Sequence, residues 1–255
     1  MSDNTKILTT SLFTKKVNYI GKKLLENNSN DNMRNSSFSV VFIADTHSQQ
    51  LNENIKKNSS IEQYCLLLKK IKSCEDITCI VHGGDAIQGF TNNLKKSKNV
   101  LKHFIISTKL ELYENTETLK RIPFIMNAGN HDYCCDNNRD NFNKLVGENS
   151  DLIKIKSHYL DILLLDTGYT HNGFPDLEAL KNQICSLEKK IKKEHKTVRF
   201  ILDMHIPPQL GDFIKYSNHT LTSELTIEFV KFLNKYKKKF KYRTILFVIK
   251  ENKIM

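Results

Sequence analysis

From residue 38 onward the chain alternates between two rhythms. Short runs rich in apolar and β-branched residues recur: "FSVVFIA" (38–44), "DITCIVH" (76–82), "IPFIMNA" (122–128), "LDILLLD" (160–166), "VRFILDM" (198–204) and "TILFVI" (244–249). Nearly continuous apolar runs of this length suit strands covered on both faces, as in largely parallel sheets. Between several of them, apolar residues fall at helical spacing. Ile61, Cys65, Leu68 and Ile71 share one stripe within 61–73, and Leu177, Leu180, Ile184, Leu187 and Ile191 share another within 177–195. A third helix is predicted over 223–236, opened by Ser223 as N-cap. Strands alternating with helices predict a layered α/β fold. Residues 1–37 are polar, rich in asparagine and serine from 27, and read as an N-terminal extension with one weak helix in 12–26. No fixed-period repeat and no glycine/serine linker interrupts the remainder, so 38–255 reads as one domain.

The ends of the apolar runs carry the chemistry. The first runs into Asp45 and His47, the second into Asp85 behind Gly83 and Gly84, the third into Asn130, His131 and Asp132, and the fifth into His205. Oxygen and imidazole groups thus recur just past carboxyl ends of strands, the edge at which sites form in open α/β sheets. Two divalent cations a few ångströms apart repel one another, so a bridging anion helps. Asp85 is the candidate bridge, because the glycines before it permit a tight turn. Asp45 and His47 are expected to hold one metal, and Asn130 and His205 the other. Such a mixed donor set suits manganese, iron or zinc. A bimetal centre clamps a phosphate oxygen and lowers the pKa of bound water, so hydroxide exists near neutral pH. His131 is then the residue to give a proton to the leaving oxygen or to bind a phosphate oxygen. Asp132 is expected to fix its tautomer and orientation.

Taken together, Asp45-Thr46-His47, Gly84-Asp85, Gly129-Asn130-His131-Asp132, and His205 followed by Pro207 and Pro208 resemble the calcineurin-like metallophosphoesterase superfamily over about 38–206. The resemblance implies a two-layered mixed β-sandwich flanked by helices, with a dinuclear centre at the strand ends. It implies hydrolysis of a phosphomonoester or phosphodiester by a metal-bound hydroxide. One element of the family pattern is missing. A Gly-His-x-His motif ordinarily follows a further strand and completes both metal shells, but here "TILFVI" leads into "KENKIM" and no histidine follows His219. Each metal is then one protein ligand short. The readings are a shortened reading frame, recruitment of His219, or a degenerate member acting as a non-catalytic phosphate-binding or regulatory module.

Composition changes this picture little. Hydrophobic residues make up 39% and charged residues 26%, a globular balance. The net charge of +11 favours anionic partners, though lysine is spread along the whole chain and its densest cluster, "KYKKKFKYR" at 235–243, also suits a solvated helix end. A small phosphate ester is the expected substrate, and nucleic-acid binding ranks last because no aromatic-basic recognition motif is present. The six cysteines form no Cys-x-x-Cys pair, which points to reduced thiols and a cytoplasmic protein. No apolar run approaches the roughly 20 residues needed to span a bilayer. Asp166 reads as a turn or cap residue, His82 as internally packed, and His103, His158, His171 and His195 as surface residues.

Overall fold

A computed structural model describes residues 14–27, 39–49, 60–74, 76–89, 93–114, 121–133, 136–147, 151–155, 160–167, 177–192, 199–206, 208, 221 and 223–237. The strand expected at 244–249 and His219 lie outside the described residues. Within them, two three-stranded sheets form. The first is wholly parallel, in the order β1 (Ser39–Ile43), β2 (Ile77–His82), β3 (Phe124–Met126). The second runs β4 (Asp151–Ile155), β5 (Leu160–Leu165), β6 (Arg199–Met204), with β4 antiparallel to β5 and β5 parallel to β6. Both sheets and their helices agree with the expected α/β sandwich.

The period-two alternation of each strand sorts its side chains into different cores. Val40, Phe42, Cys79, Val81 and Ile125 from the first sheet meet Ile153, Ile155, Ile162, Leu164 and Ile201 from the second, forming the layer between them. The opposite faces are covered by helices. Ile80, Phe124 and Met126 pack under α1 (Val17–Asn27), α2 (Ser60–Lys72), α3 (Leu94–Lys109) and α4 (Asp136–Leu145). Leu163, Leu165, Leu202 and Met204 pack under α5 (Leu177–Lys192) and α6 (Ser223–Lys237). This double coverage is why the runs read as almost unbroken apolar segments.

Three elements were not announced by the pattern. β4 is only five residues long, and its Ile153 and Ile155, separated by Lys154, belong to the core. The first half of α3 is dominated by lysine and serine, although Val100, Leu101, Phe104 and Ile105 are fully buried at helical spacing. α4, "DNNRDNFNKL", is rich in asparagine, a weak helix former.

The weak helix expected in 12–26 is present as α1, and its Val17 and Ile20 belong to the outer core. It also completes the sheet. Among the described residues β3 is one edge of its sheet, and the buried Asn18 side chain takes the place of a further strand there: its Nδ2 donates to Met126 O and its Oδ1 accepts from Met126 N, each at 2.8 Å. Truncating that side chain leaves two buried backbone groups unsatisfied. Asn18→Ala is therefore expected to lose about 2–4 kcal/mol of stability, read as a lower urea midpoint at unchanged slope.

Candidate metal centre

Register sets the starting line. Ile43 pairs with His82 and His82 with Met126, so the three parallel strands of the first sheet end level. In the second sheet Leu165 pairs with Met204, and those strands also end level. The segments carrying Asp45 and His47, Asp85, Asn130 and His131, and His205 therefore leave from one edge.

The first two segments stay hydrogen-bonded beyond their strands. Asp45 N donates to Gly84 O and His47 N to Asp85 O, both at 3.0 Å, and Ser48 N donates to Ala86 O at 2.9 Å. Holding this path requires left-handed backbone at three residues that are not glycine: Asp45 (φ 54°), His47 (φ 42°) and Asp85 (φ 53°). Such conformations are uncommon outside glycine and tend to gather at functional sites. Gly84, at φ 103°, makes the turn into Asp85. The expectation of a tight glycine turn is met there, while Gly83 keeps an ordinary φ.

All seven sequence-derived residues come together in this region. Asp85 is buried at the centre. Its Oδ1 accepts from His131 N at 2.9 Å. Its Oδ2 lies 3.5 Å from His47 Nε2 and 3.2 Å from His205 Nε2. His47 Nε2 is also 3.5 Å from Asp45 Oδ1. The Oδ1 of Asn130 lies 3.2 Å from His205 Nε2. Two triads of ligand-type atoms arise, each mutually within 4.8 Å: Asp45, Asp85 and His205 in one, and His47, Asp85 and His131 in the other. Asp85 is common to both. The two expected pairs, Asp45 with His47 and Asn130 with His205, are each close, and His205 also reaches from the second sheet toward Asp45 and Asp85.

The imidazoles are fixed differently. His205 Nδ1 is 3.0 Å from Gly83 O and donates to it, so in the neutral ring Nε2 presents a lone pair to Asp85 Oδ2 and Asn130 Oδ1. Three acceptors meeting in this way need a shared positive charge, and the set fits a divalent cation. His47 Nδ1 is buried without a hydrogen-bond partner among the described residues. His131 Nδ1 bonds Gln88 O, and its ring meets that of His47 edge-on with centroids 4.7 Å apart.

The Asp132 carboxylate also braces the loops around this ring. Its Oδ1 accepts from Ile87 N at 3.2 Å and its Oδ2 from Gly129 N at 2.8 Å, so it binds the second and third loops together. The group orienting His131 is the backbone carbonyl of Gln88, which no pattern of residue types signals. Burial, and then the like charge of Asp85, push the Asp132 carboxyl up to about 7. Burial opposes ionisation of Asp85 too, but with His205 protonated its hydrogen bond and charge, joined by His131, outweigh burial and hold that carboxyl well below the usual range.

Of the residues read as structural, Asp166 is buried and accepts from Tyr133 Oη at 3.1 Å, His82 is fully buried, and His103 is exposed. Pro207, Cys134, Cys135, His158, His171 and His195 lie outside the described residues. No helix among the described residues is long and apolar enough to cross a membrane.

Comparison with known proteins gives a family for the chain. A family model for calcineurin-like phosphoesterases matches residues 38–247. A solved structure of a dimetal phosphatase from Danio rerio is similar to the chain at 12% identity, over 81% of this chain and 79% of that one, with a TM-score of 0.48. No curated protein sequence matches.

One group near the edge gives a test of burial. Asp203 lies on β6, wholly buried, and neither carboxyl oxygen has a hydrogen-bond partner among the described residues. Burial pushes its pKa up to about 6. A carboxyl raised on folding adds stability that is complete below about pH 4 and lost as pH rises through about 6. Asp203→Asn lacks this loss. In metal-free protein, its stability relative to wild type is expected to improve by about 1 kcal/mol between pH 5 and pH 8, read from urea midpoints.

Proposed function

The chain belongs to the calcineurin-like phosphoesterase family, and from that premise we propose that it hydrolyses a small phosphate monoester or diester, with Asp45, His47, Asp85, Asn130 and His205 holding two divalent cations. The observation that carries this reading is the position of Asp85 in both triads, with the Nε2 atoms of His47 and His205 at 3.5 and 3.2 Å from its Oδ2. A mixed carboxylate, amide and imidazole set is suited to manganese, iron or zinc. Two such cations, when bound, supply Lewis acidity at the phosphate oxygens and acidify water enough for attack near neutral pH.

The chain's own groups then divide the remaining work. Asp85, buried and kept ionised by its neighbours, offers negative charge between the two cation positions. Because Asp85 Oδ1 also holds the His131 amide, the loop that carries the proton donor is tied to the bridging carboxylate. His131 gives Nδ1 to Gln88 O, which leaves Nε2 as the nitrogen for the substrate. With both nitrogens protonated, Nε2 hydrogen-bonds a phosphate oxygen and then passes its proton to the leaving oxygen. The basic balance of the chain, +11, attracts an anionic ester.

Manganese-loaded protein is expected to cleave nitrophenyl phosphate, bis-nitrophenyl phosphate or both. Asp85→Ala is expected to bring turnover to background and to lower bound metal. His131→Gln is expected to keep the metal while kcat falls about 10²- to 10⁴-fold, the usual contribution of a positioned acid. Full metal loading with neither ester cleaved would contradict hydrolysis and favour a non-catalytic phosphate-binding module.

A further inference from the structure

The residue between Asp45 and His47 has a connection of its own. The Thr46 hydroxyl donates to Ala86 O at 3.0 Å. On its other side it lies 3.2 Å from His82 Nε2. His82 is wholly buried, against the rings of Tyr64, Phe104 and Phe124. Its Nδ1 accepts the N–H of Gly84 at 3.3 Å. These contacts specify the protons. Gly84 N–H fills the lone pair of Nδ1, so the neutral ring carries its hydrogen on Nε2 and donates it to Thr46 Oγ1. The threonine proton is then directed to Ala86 O. Burial, the largest influence, lowers the His82 pKa to about 3, in keeping with a neutral ring.

The chain of donors thus begins and ends on the loop that carries Asp85, passing through the loop that carries Asp45 and His47. Both loops hold left-handed residues that an unsupported backbone disfavours. We propose that Thr46 and His82 are positioning residues, a buried latch that sets the spacing of Asp45 and His47 from Asp85 and so tunes divalent-metal affinity. The inference rests on the reading of those three residues as metal ligands. Partners behind the ligands of a metal site commonly govern its affinity by about 10- to 100-fold.

Calorimetric titration of the metal-free chain with Mn²⁺ tests the latch. Thr46→Val keeps the shape and loses both hydrogen bonds; its affinity is expected to fall about 10-fold or more. Thr46→Ser keeps the hydroxyl and is expected to stay within about 3-fold of wild type, which separates a hydrogen-bonding role from packing. Should Thr46→Val fail to fold, His82→Asn serves, since it retains an acceptor for Gly84 N–H and lacks the donor to Thr46; the same weakening is expected. In parallel, long-range ¹H–¹⁵N spectra of the metal-free wild type are expected to show His82 protonated at Nε2 only. Wild-type affinity in either disrupted variant, or a proton on His82 Nδ1, would overturn the latch. Wild-type protein that shows the expected His82 tautomer yet takes up no Mn²⁺ would instead overturn the metal reading, and the tuning role with it.

Discussion

Two backbones touch where Gly84 meets Gly129, and the arrangement of the centre depends on that contact. A β-carbon on Gly84 would sit 2.6 Å from Gly129 N, and one on Gly129 would sit 2.1 Å from Asp85 Oδ1. Space, and at Gly84 also a positive φ, excludes any side chain. Because the two turns close on each other, Asp85 reaches the His131 amide with one oxygen and faces His47 and His205 with the other. The local backbone is strained at Asp45, His47 and Asp85, at a cost of about 1–3 kcal/mol each. The hydrogen bonds that continue from β1 and β2 past the ends of the sheet offset part of that cost.

The second sheet is brought into line by polar contacts at the edge of an otherwise apolar interface. Asn127 Nδ2 donates to both Leu165 O and Asp203 O at 3.1 Å, joining the end of β3 to the ends of β5 and β6. Thr167 Oγ1 accepts from Ile206 N at 2.7 Å, just past His205, and Tyr133 donates to Asp166 just past His131. Apolar packing between the sheets is non-directional and brings them together without fixing their register finely. Hydrogen bonds are directional, and these act where a small error would carry the His205 ring away from Asp85. Buried polar networks of this kind are favourable only when their members are satisfied.

Much of this was legible in the residues. Five of the strands were visible because helices and the facing sheet pack against their two sides, and the ligand-type residues were visible because each stands just after such a run. The family resemblance rested on those same positions. What stayed hidden has a physical reason in each case. The carbonyl of Gln88, which orients His131, belongs to the backbone and has no residue-type signature. Thr46 and His82 are joined only after two loops run side by side, so nothing in their separate neighbourhoods announces the pair. Asp203 was submerged in an apolar run, although its place two residues before His205 puts it on the same side of β6. β4 and α4 were obscured by brevity and by asparagine.

The central claim is that one carboxylate, Asp85, joins two cations in a single centre. Electron paramagnetic resonance of the metal-free chain reconstituted with two equivalents of Mn²⁺ addresses it most directly. The account predicts the broad, exchange-coupled spectrum of a manganese pair, collapsing to isolated ions when Asp85 is replaced by alanine. A wild-type spectrum of magnetically independent ions, or of ions free in solution, would contradict it.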